Sequence, residues 1–133
     1  MKAAELEELG RRAVACPRWR WMPGMTILGS KGRRVVVIGL SGAPEATSGM
    51  NSRAIEPDEL PDLSSPATLG CLLALVREAH EDADIVAFVV HSYGSPERWC
   101  VDVGPAPDLH DERKYVYRPT EAEALVAALE AAP

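Results

Sequence analysis

The sequence has few cysteines and few aromatic residues. Its three cysteines, at positions 16, 71 and 100, are odd in number and far apart, so they form neither a disulfide framework nor a CxxC metal pair. We therefore expect reduced thiols and a cytoplasmic location. Aromatic residues make up only 5% of the chain, with a single phenylalanine, so the tryptophans are among the few large side chains available to fill a core.

Long hydrophobic runs are also absent. The first fifteen residues, MKAAELEELGRRAVA, contain three glutamates where a signal peptide needs an apolar stretch, and no later window has 18 apolar residues. We therefore expect neither export by that route nor a membrane span. With 47% hydrophobic and 26% charged residues in 133 positions, the composition predicts one packed domain, 1–133.

Complete catalytic, metal and phosphate-binding signatures are missing. There is no Walker loop, G-x-G-x-x-G or HExxH motif. The run GLSGA, residues 39–43, comes close to a nucleophile elbow, but the following PEATSGMNS is typical of a loop, so we do not expect Ser41 to be catalytic. The GSKG of residues 29–32 matches the GxxG of KH domains, yet its strand-like flanks favour a cationic hairpin turn.

The histidines at positions 80, 91 and 110 are too scattered to predict a metal site. His91 is the best general acid or base if Asp102 lies opposite it on a partner strand; otherwise it is a partly exposed histidine at a strand end. We therefore predict no enzyme, no metal and no cofactor.

Hydrophobic periodicity predicts an α+β fold. We expect helices over 3–15, 66–80 and 120–131, the last with a Thr120/Glu123 capping box. We expect strands over 18–22, 25–28, 34–40, 85–93, 98–103 and 114–118, joined by a long loop at about 41–65 in which residues 53–55 could form a short strand. The predicted architecture has two layers: a mostly antiparallel sheet of about five strands with two helices on one face, and an additional N-terminal helix.

Charge is unevenly distributed along the chain. The net charge of −6 disfavours generic nucleic-acid binding. Between positions 11 and 34 there are seven basic residues and no acidic one, whereas acidic residues dominate from Glu56 onward. This asymmetry predicts one positive face for an anion, unless folding mixes the two regions.

The stretch RWRWMPGM, residues 18–25, is the most unusual in the chain. Indole rings stack on planar ligands and guanidiniums neutralise phosphate, so the pattern suits a nucleotide-like molecule. The alternative is that at least one indole belongs to the core, which leaves the arginines as the ligand contacts. The predicted ligand-binding residues are Arg18, Trp19, Arg20, Trp21, Lys31, Arg33 and Arg53.

Three blocks in this order, CPRWRWMPGM, LPDLSSPATLGCLLALVREAHED and TEAEALVAALEAA, resemble those of small uncharacterised bacteriophage and prophage proteins. The resemblance implies location in the host cytoplasm but assigns no residue a role. It favours a nonenzymatic, homo-oligomeric binder that sequesters an anionic, nucleotide-like host signalling molecule, an anti-defence role. The alternatives are an accessory phage protein and an inhibitor of a host nucleic-acid enzyme whose acidic face carries Asp58, Glu59, Asp62, Asp108, Asp111 and Glu112.

Overall fold

The computed structural model describes residues 1–28, 35–40, 43–49, 51–91, 93–105 and 113–133. These residues form three α-helices and seven strands, and every strand pair is antiparallel, which confirms the α+β class. The described strands form two sheets, of four and three strands, instead of one sheet of about five. The chain divides into two compact units, Met1–Cys71 and Leu72–Pro133; the organisation of 1–133 as one domain stays a prediction.

The first helix, α1, spans Ala3–Ala15, as predicted. Its Leu9, Gly10 and Ala13 are buried, and Arg11 forms ion pairs with Glu7 and Glu8 on the exposed side. A side chain at Gly10 would lie about 3.4 Å from Leu60, so the helix packs closely on residues 60–61.

The first sheet is an antiparallel meander of four strands. They are β1 (Thr26–Ile27), β2 (Val35–Leu40), β3 (Ala43–Thr47) and β4 (Ser52–Ala54), in that order. The pairing of Thr26 with Val36 confirms the predicted hairpin between 25–28 and 34–40. Two strands lie within the predicted loop 41–65. The strand β4 overlaps the short strand predicted at 53–55. The strand β3 was not predicted, because it forms through backbone pairing with β2 and its own residues have low strand propensity.

The second helix, α2, spans Pro66–Ala79, close to the predicted 66–80. Thr68 on its first turn is fully buried. Its Oγ1 accepts a hydrogen bond from the backbone N–H of Thr26 at 3.0 Å and lies 3.1 Å from the Thr26 hydroxyl oxygen. These polar contacts join β1 to the beginning of α2 in the interior of the first unit.

The second sheet consists of β5 (Ala87–Val90), β6 (Arg98–Pro105) and β7 (Arg113–Arg118), in that order. The antiparallel β5–β6 hairpin and the last strand confirm the predictions, although β5 is shorter than the predicted 85–93. The C-terminal helix, α3 (Glu121–Glu130), begins with the predicted capping box, since Thr120 and Glu123 exchange hydrogen bonds. It packs on all three strands through its buried apolar residues.

Candidate functional site

The indole segment, residues 18–22, is not the strand that the alternation of Arg and Trp predicted. The structure describes all five of these residues and none lies in a strand. The segment follows the end of α1 through a turn in which the Trp19 N–H donates to the Cys16 carbonyl at 3.0 Å. The prediction was wrong because a period-two pattern forms a strand only where a neighbouring strand supplies backbone partners.

The two indoles of this segment contact each other. The ring centroids of Trp19 and Trp21 are 5.5 Å apart and the ring planes meet at 79°, an edge-to-face arrangement that aromatic pairs prefer. Both residues are half-buried. The pair therefore combines a fixed ring geometry with surface that remains accessible to solvent.

Trp19 has a polar atom that its surroundings leave unsatisfied. In the part of the chain that the structure describes, its indole Nε1 is buried and has no hydrogen-bond partner. A buried donor without an acceptor costs about 1–3 kcal/mol, and the Trp N–H normally finds a partner when buried. Within the described residues that are not exposed, this donor is the only buried side-chain nitrogen or oxygen without a partner.

A tight turn anchors the end of the indole segment. Gly24 has φ +96°, in the left-handed region, and its N–H donates to the Val37 carbonyl at 2.9 Å. A Cβ at Gly39 would lie 2.6 Å from Pro23 Cγ, so β2 passes directly against the turn. The Cys71 thiol donates to the Pro23 carbonyl at 3.6 Å, and burial raises the pKa of that thiol.

The basic residues of the indole segment lie at the surface. Arg18 and Arg20 are both exposed. Residues 1–71 carry nine Lys and Arg against eight Asp and Glu, a net charge of +1, whereas residues 72–133 carry five against twelve, a net charge of −7. The unit that contains the indoles is thus the one more compatible with an anion. The other predicted cations of this stretch, Lys31 and Arg33, lie outside the described residues.

Arg53, the remaining predicted ligand contact, lies on β4 and is paired with a carboxylate. Its guanidinium forms a two-pronged ion pair with Glu59, with Nη2 2.8 Å from Oε2 and Nη1 bonded to Oε1. The pair lines a cleft of about 480 Å³. Four carboxylates and two guanidiniums face this cleft, which is lined by Glu7, Arg11, Leu28, Arg53, Glu56, Asp58, Glu59 and Leu60. Because the carboxylates outnumber the cations, the cleft repels an anion.

The Arg53–Glu59 pair makes stability depend on pH. Hydrogen bonds from the Arg53 side chain, and then from the Glu56 N–H at 2.8 Å, lower the pKa of Glu59 although its burial opposes them. Because the folded pKa is the lower one, the stabilisation is present above the unfolded value of about 4.3 and is lost as pH falls through the folded value. Urea denaturation should therefore show the coupling between Arg53→Met and Glu59→Gln at pH 7 and its disappearance in acid. A coupling that is independent of pH would contradict this assignment.

The histidine candidate is not supported by the register. β5 ends at Val90, which pairs with Arg98, so the next residue, His91, does not face Asp102. The Asp102 N–H instead donates to the Val86 carbonyl at 3.3 Å, and His91 Nδ1 lies 3.5 Å from Glu97 Oε1 with both side chains about 70% exposed. The condition for an acid–base pair is not met, because the register that pairs Val90 with Arg98 runs on toward Glu97 and not toward Asp102, and His91 is the exposed histidine at a strand end that was the alternative.

Other candidates are dispersed or outside the described residues. His80, which follows α2, donates a hydrogen bond from its Nε2 to the carbonyl of Ala128 in α3 at 2.7 Å. This contact is a structural role. Ser41, the GSKG of 29–32 and His110 lie outside the described residues. No three His, Cys, Asp or Glu side chains within the described ranges are grouped closely enough to hold a metal ion. None of the helices in those ranges is long and apolar enough to cross a membrane.

The predicted acidic face is only partly described. Asp58 is exposed, while the Glu59 side chain is 13% exposed and is used by Arg53. Asp62 accepts a hydrogen bond from the Ser64 N–H at 3.0 Å. Asp108, Asp111 and Glu112 lie outside the described residues. Of the three described carboxylates, two are thus engaged in local hydrogen bonds.

Sequence reasoning missed a group of exposed aromatic side chains on the second sheet. Phe88, Tyr115 and Tyr117 are each 40–44% exposed, and the rings of Tyr115 and Tyr117 lie 6.1 Å apart. The available signal was the YVY of β7, which places both tyrosines on one face because strand side chains alternate. The same alternation assigns Val116 to the opposite face.

Comparisons with protein-family models, curated proteins and solved structures gave no match. The resemblance to phage and prophage proteins therefore stays a prediction from the three sequence blocks. The geometry of the indole segment and of the second sheet is what carries the functional inferences.

Proposed function

We propose that this chain is a nonenzymatic phage-type protein that captures an anionic, nucleotide-like signalling molecule of the host at the indole segment. The observation that carries the proposal is the edge-to-face pair of half-buried indoles, Trp19 and Trp21, in which the Trp19 Nε1 has no hydrogen-bond partner among the described residues. Exposed Arg18 and Arg20 alternate with these indoles along the chain. Capture without turnover would remove the signal from the host cytoplasm.

The chemistry of a nucleotide matches the groups of this segment. An indole face stacks on a base with about 1–3 kcal/mol of stabilisation. A guanidinium can donate two parallel hydrogen bonds to phosphate. The buried Trp19 N–H can donate to a base or sugar oxygen only if the indole turns outward on binding. Each component of the ligand is thus recognised by a different side-chain type.

The burial of the two indoles supports a binding role beside a packing role. Neither Trp19 nor Trp21 belongs to the fully buried core, which is formed by residues such as Met25 and Val37. A tryptophan that served only as core would be expected to bury its ring and satisfy its N–H. The half-buried indoles instead retain surface on which a planar ligand could stack.

The first experiment is native mass spectrometry of the protein recovered from phage-infected host lysate, followed by denaturation and identification of released small molecules. We expect a nucleotide released intact in stoichiometric amount. An empty protein in this experiment and in titrations with nucleoside phosphates and cyclic dinucleotides would overturn the proposal. A copurifying macromolecule would instead direct attention to the inhibitor alternative.

The arginines supply the variant test. We expect Arg18→Ala combined with Arg20→Ala to weaken binding of the identified nucleotide by at least about tenfold, because each lost charged hydrogen bond is worth about 1.5–3 kcal/mol. Isothermal titration calorimetry measures the affinity, and circular dichroism checks the fold. Lys114→Ala with Arg118→Ala removes two exposed cations of the second unit and should leave the affinity unchanged. If both pairs of substitutions weaken binding equally, binding depends on the overall charge of the protein and not on Arg18 and Arg20.

The inhibitor alternative has less support. It requires acidic side chains free to meet a basic groove, yet Glu59 is held by Arg53 and Asp62 by the N–H of Ser64. Its host partner would have to be recognised through the remaining carboxylates. The sequestration proposal uses the half-buried surface of the two indoles and the exposed side chains of Arg18 and Arg20.

A further inference from the structure

One face of the second sheet exposes an apolar surface. Six large hydrophobic side chains are exposed among the described residues, and four of them lie on or beside this sheet: Val86 (46%), Phe88 (40%), Tyr115 (44%) and Tyr117 (44%). An apolar patch grouped in this way marks an interaction site more often than scattered exposed residues do.

The strand register places these four side chains on the same face. Phe88 pairs with Cys100, which pairs with Tyr117, so these three residues form one row across the sheet. Asp102 pairs with Tyr115, and its N–H donates to the Val86 carbonyl, which gives a second row two residues away. Because strand side chains alternate, both rows point to one side; we call it the aromatic face.

The opposite side of the sheet belongs to the core. Val101, between the two rows on β6, is fully buried, and α3 packs on all three strands. The aromatic face is therefore the side that α3 leaves open. Within it only Cys100 is buried, at 1% exposure, between Phe88 and Tyr117 in its row.

The charges of the aromatic face are arranged symmetrically about Cys100. Arg98 lies two residues before Cys100 on β6 and Asp102 lies two residues after it, so the cation and the carboxylate flank the central row. Val90 pairs with Arg98 on the neighbouring strand, and Val86 lies beside Asp102. A rotation of 180° about the central row exchanges the position of Arg98 with that of Asp102. The same rotation exchanges the position of Val90 with that of Val86.

We propose that the aromatic face is a symmetric dimer interface between two copies of this chain. The two-fold axis runs along the row of Phe88, Cys100 and Tyr117, and the two β6 strands cross antiparallel, face to face. Arg98 of each copy then meets Asp102 of the other, whose Oδ1 also accepts a hydrogen bond from the Gly104 N–H at 3.1 Å. The aromatic rings of the central row meet their own copies. A two-fold interface requires such self-complementarity.

Net charge disfavours a nucleic acid as the occupant, and the local complementarity of Arg98 and Asp102 favours a second copy. Aromatic sheet faces can stack bases, but the unit that carries this face has a net charge of −7, which repels a phosphate backbone. In a dimer, Arg98 of each copy pairs with Asp102 of the other, so these residues add no net charge to the interface. This proposal concerns residues 86–117 and stands independently of ligand capture at the indole segment.

The size of the face sets the expected affinity. Three strands and five residues along each strand cover about 14 Å by 17 Å, which is smaller than a standard interface side of about 800 Å². We therefore expect a reversible dimer with a dissociation constant in the micromolar range or weaker. The dimer should appear in sedimentation velocity as a concentration-dependent increase of the weight-average sedimentation coefficient.

Charge reversal tests the pairing directly. Arg98→Asp turns both intermolecular pairs into carboxylate pairs, and Asp102→Arg turns both into guanidinium pairs, so we expect each variant alone to raise the dissociation constant by at least about tenfold. An equimolar mixture of the two variants restores opposite charges at both positions and should form a heterodimer. Lys114→Asp, a reversal on the other face of the sheet, is the matched control and should dimerise like the wild type.

The outcomes separate this interface from other uses of the face. A protein that stays monomeric into the millimolar range overturns the proposal, as does a dimer unaffected by either reversal or a mixture that fails to associate. Tyr117→Lys supplies a second variant at an exposed position in case Asp102→Arg disturbs the fold, and it should also dissociate the dimer. Binding of a single-stranded oligonucleotide that Phe88→Ala abolishes, without dimerisation, would assign the face to base stacking instead.

Discussion

Leu125→Ala should lower the free energy of unfolding by about 2–5 kcal/mol, the usual cost of truncating a fully buried leucine. Leu125 is 0% exposed and lies in the middle of α3, whose residues from Ala124 to Leu129 are all buried. Because α3 packs on β5, β6 and β7, a cavity beneath this leucine removes contacts in the core of the second unit.

Urea denaturation followed by far-ultraviolet circular dichroism measures this change. Lys114→Ala, at an exposed position on β7 of the same unit, is the control and should change the free energy by less than about 0.5 kcal/mol. Leu125→Met, which nearly conserves volume, should cost less than about 1.5 kcal/mol. Equal losses for the alanine and methionine variants would show that cavity formation is not the cause.

The helices could be predicted because their signals are local. The Thr120/Glu123 capping box fixes the beginning of α3, and Pro66 fixes the beginning of α2 at a position where its missing N–H costs nothing. The i,i+4 pair of Glu7 with Arg11, whose N and O atoms lie 3.3 Å apart, is a further local feature of α1. Each of these features depends on residues within one or two turns of each other.

The strands were harder to predict because strand pairing is not local. The alternation in residues 18–22 met the period-two criterion, yet none of the described strands pairs with this segment. The reverse error occurred at β3, whose APEAT sequence has low strand propensity but pairs with β2 along its whole length. The division into two sheets likewise depends on which strands meet, and the sequence pattern does not encode this.

The same limit applies to the candidate site. Arg53 was predicted as a ligand contact from the long loop, but it lies on β4 and its guanidinium pairs with Glu59. Neither the contact between Trp19 and Trp21 nor the burial of the Trp19 Nε1 was predicted from the sequence. The aromatic face required the register of three strands before Phe88 and the two tyrosines could be placed together.

Thr68→Val should lower the free energy of unfolding by about 2–4 kcal/mol, since it leaves both the N–H and the hydroxyl of Thr26 without their partner in a buried position. Valine has nearly the shape of threonine, so no cavity contributes. Thr68→Ser keeps the hydroxyl and removes one methyl group, which should cost only about 1 kcal/mol.

Which of the two variants has the lower free energy of unfolding shows whether hydrogen bonding or packing is the main contribution of Thr68. If the buried hydroxyl stabilises the fold, valine is the more damaging substitution; if only the filled volume matters, serine is. Thermal and urea denaturation at neutral pH measure both. Because Thr26 begins β1 and β1 follows the turn that anchors the indole segment, a hydrogen-bonding role would also explain how α2 holds the end of that segment in place.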